Sequence, residues 1–133
     1  MSRLLAALLI ASSSALACTF GGVQIFVTYY HAVPWQTDDT PEIASCGPLA
    51  EAPLLEGERI IAVSRDLFFD ESGHKRCGEH VIVFTKHGLI YGVIWDTMNG
   101  RFLGRVDVLY KNGERPTWGV TSGKLYCAEE LGG

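Results

Sequence analysis

Short apolar runs, rich in β-branched and aromatic residues, recur at 23–30, 59–64, 80–85, 89–95, 105–110 and 118–127, each closed by Gly, Pro, Asn or Asp. Within them the apolar positions alternate. Val23, Ile25, Val27 and Tyr29 share one face of the first run, and Leu89, Tyr91, Val93 and Trp95 share one face of the fourth. The pattern predicts an all-β fold with Trp95 in its core. Lys86-His87-Gly88 between two runs reads as a tight hairpin, with Gly88 supplying the left-handed backbone. Residues 31–58, with their prolines, acids and small residues, read as a long surface excursion in the N-terminal half rather than a second domain, and long loops in compact domains are often functional. Single helical turns are expected at 65–70 and near 113–118, where Pro116 limits the length. No internal repeat, low-complexity tract or linker interrupts the chain.

Ahead of these runs stands a different kind of segment. Met1-Ser2-Arg3, an uncharged apolar stretch over 4–10 and Ala15-Leu16-Ala17 make a charged n-region, an h-region and a small-residue cleavage site, which predicts a signal peptide over 1–17 and one domain over 18–133. The apolar stretch is shorter than the ~20 residues a transmembrane helix needs, and no later segment is longer. Cleavage before Cys18 suits ordinary signal peptidase, while Ala17-Cys18 also fits a loose lipoprotein box, so a lipid anchor at Cys18 stays open beside a free N-terminus. The expected location is secreted or periplasmic, with attachment to the outer membrane if Cys18 is lipidated.

The whole chain carries 11 Lys+Arg against 15 Asp+Glu; the leader holds one of those cations, Arg3, and no acid, so the remainder is more acidic still. Without a basic patch no counterion-release term is available for phosphates, which argues against nucleic acid as a partner. Cys18, Cys46, Cys77 and Cys127 form an even set for an oxidising compartment, with three possible pairings. Zinc is the competing use, but no Cys-x-x-Cys is present.

Two carboxylates invite a chemical reading. Asp96 and Asp107 each end or interrupt an apolar run, with a glycine-containing bend between them. Asp96 reads either as one member of an acid/base pair or as a turn cap bonded to the amides of residues 97–99. Asp107, between Val106 and Val108 in mid-strand, is not explained by capping; it is a candidate acid, or a structural carboxylate bonded to backbone amides. Tyr29, Tyr30, Trp35, Trp95 and Trp118 supply aromatic faces of the sort that stack on sugars, with Trp35 the best placed in a loop, and His31 follows the first strand. A phosphate-binding P-loop and a Gly-x-Ser-x-Gly elbow are both absent.

The segment Asp96-Thr97-Met98-Asn99-Gly100-Arg101, followed by Arg105-Val106-Asp107, resembles the three-aspartate domain of bacterial cell-wall proteins, a relative of the rare-lipoprotein-A, barwin and expansin domains. Val27-Thr28-Tyr29-Tyr30, Gln36-Thr37-Asp38-Asp39-Thr40-Pro41 and Ile61-Ala62-Val63-Ser64-Arg65-Asp66-Leu67 are similar to its other signatures, in the same order. The resemblance implies a six-stranded double-psi β-barrel and a monomer acting on cell-wall glycan, namely peptidoglycan. It implies Asp107 as the general acid/base of a lytic-transglycosylase-like cleavage with Asp96 beside it in a groove; the candidate substrate contacts there are Trp35, Tyr30, His31, Asn99 and Arg101. No metal or organic cofactor enters that scheme. Asp66, which follows Arg65 instead of preceding a proline, is expected to cap a helix or turn. The Cys-Gly sites at Cys46 and Cys77 look like those of barwin and expansin domains, which pairs Cys46 with Cys77 and leaves Cys18 for Cys127. Two other functions remain on the same scaffold: a non-catalytic, expansin-like carbohydrate-binding module, and a secreted protein-binding or inhibitory domain.

Overall fold

Pairing of the apolar runs closes them into a barrel. The computed structural model describes residues 18–33 and 40–128. Six strands form the barrel: β1 (Gly21–Tyr30), β4 (Arg59–Val63), β5 (His80–Thr85), β6 (Gly88–Thr97), β7 (Arg105–Leu109) and β8 (Thr121–Cys127). They stand in the closed order β1-β7-β4-β6-β5-β8. The pairs β1/β7 and β4/β6 are parallel and the other four are antiparallel. Exchanging the first three barrel strands for the last three leaves every neighbour and every direction unchanged. This internal two-fold relation, with chain-crossing parallel pairs, is the connectivity expected of a double-psi barrel.

Alternation along each strand sends one side chain in two to the interior. Ile25, Val27, Ile61, Val63, Val81, Val83, Ile94, Val106, Val108, Leu125 and Cys127 meet there, joined by Phe20, Leu67 and Phe68. Full burial of each such side chain is worth about 1.5–3 kcal/mol. Gly92 makes room for this packing. A Cβ there would lie 2.2 Å from Ile61 Cδ1 and 2.8 Å from the Arg59 carbonyl oxygen. Tyr29 packs edge-on against Tyr110 and Trp118 at centroid distances of 5.9 and 6.2 Å, and the latter two rings lie against the core.

The hairpin between β5 and β6 turns at Lys86 and His87 and ends on Gly88 at φ +127°. The helical turn expected at 65–70 is α1 (Arg65–Phe68). The one expected near 113–118 is absent; residues there form turns and bends around Pro116. The excursion after β1 carries a small hairpin, β2 (Ile43–Ala44) with β3 (Gly47–Pro48), and a 3-10 turn over Leu49–Glu51. Trp35 and the predicted signal peptide lie outside the described residues.

Both disulfides join the pairs the resemblance implied. Cys46 is bonded to Cys77 and Cys18 to Cys127, each with Cα atoms 5.7 Å apart. Two disulfides are compatible with a secreted protein. No helix among the described residues is long and apolar enough to cross a membrane.

One strand position departs from the expected pattern. Trp95 is not a core residue. The inward positions of β6 are taken by Ile90 and Ile94, whereas Leu89 and Tyr91 are exposed, so the face Trp95 was assigned to is the outer one. Trp95 is half-buried beneath the small hairpin and donates its indole N–H to the Pro48 carbonyl at 3.0 Å.

Candidate functional site

Trp95 is also an extra residue in the ladder. In the parallel pair β4/β6, Ile61 stands opposite Ile94, but the next residue, Ala62, stands opposite Asp96. The bulge shifts the alternation by one, and a one-residue shift moves a side chain to the other face of a sheet. Asp96 is thereby turned from the barrel interior to its outer wall.

On that wall it joins a row. Thr28 pairs with Asp107 across β1/β7, Asp107 with Ala62 across β7/β4, and Ala62 with Asp96 across β4/β6. Register partners share a face, so Thr28, Asp107, Ala62 and Asp96 form one line across four strands. The two aspartates are separated by a single strand carrying only a methyl group. Two strand spacings put their Cα atoms roughly 9–10 Å apart.

Asp107, Ala62 and Asp96 of this row form the floor of a groove of about 570 Å³. One wall is the bend after β6, with Met98, Asn99, Arg101 and Phe102; the other is Thr40, Pro41 and the small hairpin with Ser45. The bend is pinned at several points. Thr97 Oγ1 donates to the Val63 carbonyl at 2.7 Å, and the amide of Gly104 donates to Asp66 Oδ2 at 3.0 Å. Gly104 has φ +57°, a conformation suited to glycine. Ser64 closes the neck, accepting the Arg105 amide on its hydroxyl at 3.0 Å while its own amide donates to the Arg105 carbonyl at 2.9 Å. Asp66, the third aspartate of the resemblance, thus holds a loop and does not line the groove.

Asp107 is a perturbed carboxyl. Burial raises its pKa above the ordinary aspartate value, with the Asp96 charge adding in the same direction, against a hydrogen bond from Thr28 and the charge of Arg105 that lower it. The Thr28 hydroxyl donates to Asp107 Oδ1 at 2.8 Å and accepts from Arg105 Nε at 3.1 Å. Arg105 also stacks on Phe102, 4.3 Å from guanidinium carbon to ring centroid, and Arg101 lies 4.8 Å from the same ring. Asp107 is therefore oriented through Thr28 by a cation that does not touch it directly.

Asp96 has a different environment. Its Oδ1 accepts the amides of Thr97 and Ser45, both at 2.9 Å. It bridges the end of β6 to the excursion, rather than capping the bend as far as Asn99. Oδ2 has no hydrogen-bond partner among the described residues.

Of the expected substrate-contacting residues, Tyr30, Asn99 and Arg101 line the groove together with Asp96 and Asp107. Asn99 spends its side-chain carbonyl on the Arg101 amide at 3.1 Å, within the bend. His31 is elsewhere. Its Nε2 donates to the Glu114 carbonyl and its ring packs edge-on against Tyr29. Thr28, Ala62, Phe102 and Arg105 join the site without having been singled out. Among the described residues, no group of three or more His, Cys, Asp or Glu side chains could hold a metal ion.

No known protein family matches the chain, and no characterised protein matches it.

Proposed function

We propose that the protein cleaves glycosidic bonds of a cell-wall glycan, peptidoglycan, with Asp107 as the general acid and then the general base. The observation that carries this reading is the state of Asp107: a partly buried carboxyl of raised pKa, held by Thr28 on the floor of an open groove. A carboxyl of raised pKa retains its proton closer to neutrality and can donate it to a leaving oxygen. The resemblance of 96–107 and of the segments at 27–30, 36–41 and 61–67 to the three-aspartate domain points to the same residue.

In this scheme the proton of Asp107 passes to the glycosidic oxygen as the C–O bond breaks and the leaving sugar departs with a hydroxyl. The carboxylate left behind takes the proton of a hydroxyl on the retained sugar, whose oxygen bonds to the anomeric carbon and closes an anhydro ring. Charge and atoms balance without water or a cofactor. Asp96 faces the same groove across Ala62, where its charge favours the positive character developing at the anomeric carbon. A covalent nucleophile would have to stand ~5 Å from the acid, and the intervening strand makes Asp96 better suited to an electrostatic role.

A second reading has its own support. Two backbone amides occupy Oδ1 of Asp96, so half of that carboxylate serves structure, and the groove could grip glycan without turning it over. In both readings the protein is a secreted or periplasmic monomer whose partner is a polysaccharide. Incubating purified protein with isolated sacculi and analysing the supernatant by mass spectrometry separates them: anhydro-sugar products support cleavage, and sedimentation with sacculi without soluble product supports binding alone.

A further inference from the structure

Tyr30 ends β1 two residues beyond Thr28, on the same outer face, and lines the groove. It is 7% exposed, yet its hydroxyl makes no hydrogen bond. Leaving a buried hydroxyl unpaired costs about 1–3 kcal/mol, so such a group in a folded protein calls for an explanation. Arg76 Nε shares the condition, but the terminal nitrogens of that guanidinium are bonded to Glu79 and Thr19. For Tyr30 the hydroxyl is the only polar atom of the side chain.

The surroundings limit what could pair with it. Burial, with the carboxylates of Asp96 and Asp107 adding to it, holds the phenol firmly in its protonated form. It is therefore a neutral donor. A carboxylate or phosphate could accept from it but has no proton to give to a carboxylate oxygen beside it. A hydroxyl can accept from Tyr30 and donate to a carboxylate oxygen at once. Oδ2 of Asp96, without a partner among the described residues, is such an acceptor.

We propose that the Tyr30 hydroxyl is a positioning group that donates a hydrogen bond to an uncharged sugar hydroxyl of the bound glycan, with Asp96 Oδ2 receiving that hydroxyl's own proton. Donor and acceptor together select a polyol and set its orientation above Asp107. This rests on the glycan reading and adds to it the part of the ligand that enters the floor: a neutral hydroxyl, with any acidic substituent of the sugar kept towards Arg101 at the rim. Tyr30 holds the ligand and transfers no proton to the scissile bond.

The test is Tyr30→Phe, compared with wild type in melting temperature, in binding of soluble glycan chains prepared from sacculi, and in product release. Removal of an unpaired hydroxyl leaves the melting temperature of the free protein unchanged or raised. Binding weakens about 3–10-fold, as expected for the loss of one neutral hydrogen bond, and any release activity loses in KM. A lowered melting temperature with unchanged binding overturns the proposal, since the hydroxyl would then serve the fold. So does tighter binding of a short polyphosphate or polyuronate than of the neutral chains. If wild type releases no product but Tyr30→Phe still binds chains more weakly, cleavage fails and the positioning role stands. If wild type cleaves and Tyr30→Phe binds and cleaves equally well, cleavage stands and the positioning role fails. Wild type that binds no glycan overturns both.

Discussion

Thr28 and Asp107 are register partners across the parallel β1/β7 pair, and the Thr28 hydroxyl spends its one proton on Asp107 Oδ1 at 2.8 Å while accepting from Arg105 Nε at 3.1 Å. The contact favours the ionised carboxylate and so works against the burial that raises its pKa. Thr28→Val keeps the shape and removes the bond. The pKa of Asp107 should rise further, because the lost bond favoured the ionised carboxylate. An acid that must be protonated loses activity as pH rises through its pKa, so the alkaline limb of the pH–rate profile should move to higher pH. Titration of the side-chain carboxyl by carbon-detected NMR gives the same check without turnover; a downward shift would contradict it.

Asp107→Asn tests the energetic consequence of the same burial. The folded-state pKa of Asp107 is raised above its unfolded value of about 3.9. The favourable contribution of this group is thus fully present below the unfolded pKa and is lost as pH rises through the folded pKa. Asparagine retains an oxygen for the Thr28 hydroxyl and carries no charge. The variant should match or exceed wild type in melting temperature at neutral pH, with the gap narrowing on acidification towards pH 3. A gap of the opposite sign would show that the carboxylate serves the fold.

Ala62 separates the two aspartates with the smallest side chain that still has a Cβ. Ala62→Leu should fill the floor while leaving the inward faces of β4, Ile61 and Val63, untouched. Glycan binding should weaken about tenfold or more, on the scale of the 1–3 kcal/mol that overpacking costs, with an unchanged circular-dichroism spectrum. Binding equal to wild type would place the ligand elsewhere on the barrel.

The disulfides give a graded prediction. Cys18–Cys127 closes a loop with a sequence separation of 109 and Cys46–Cys77 one of 31. On the chain-entropy scale the first contributes about 4–5 kcal/mol and the second about 3–4. Paired Cys→Ser replacement of the first should therefore lower the denaturation midpoint more. The Cys18 sulfur cannot carry both a disulfide and a thioether, so intact mass of protein from its native host should show the deficit of two hydrogens per bridge; the mass of a diacylglycerol group would contradict the pairing.

Much of the barrel can be read from alternation alone, because each strand buries one face and its inward valines and isoleucines repeat every second residue. The run at 89–95 misled because apolar residues occupy both of its faces: Ile90 and Ile94 point inward, so the phase shared by Leu89, Tyr91, Val93 and Trp95 is the outer one. Nothing in the residue types reveals the extra residue that the ladder accommodates at Trp95, which turns Asp96 outward. Asp107 was legible, as an acid between two valines. Its partner was not: Thr28 lies 79 positions away, and only the parallel pairing of β1 with β7 brings the two together. The signal available was that Thr28 and Tyr30 are polar-tipped residues on the face opposite Ile25 and Val27. His31 shows the converse limit. It follows Tyr30 directly, but the chain leaves the strand there, and its ring turns towards Tyr29 and Glu114 instead of the groove.

The most direct test is release of soluble anhydro-sugar fragments from isolated sacculi by wild type and by Asp107→Asn in parallel, with folding of both confirmed by thermal melts. Release by wild type and none by the equally stable variant is the predicted result. No release by wild type, or equal release by the variant, would contradict the assignment of Asp107 as the acid.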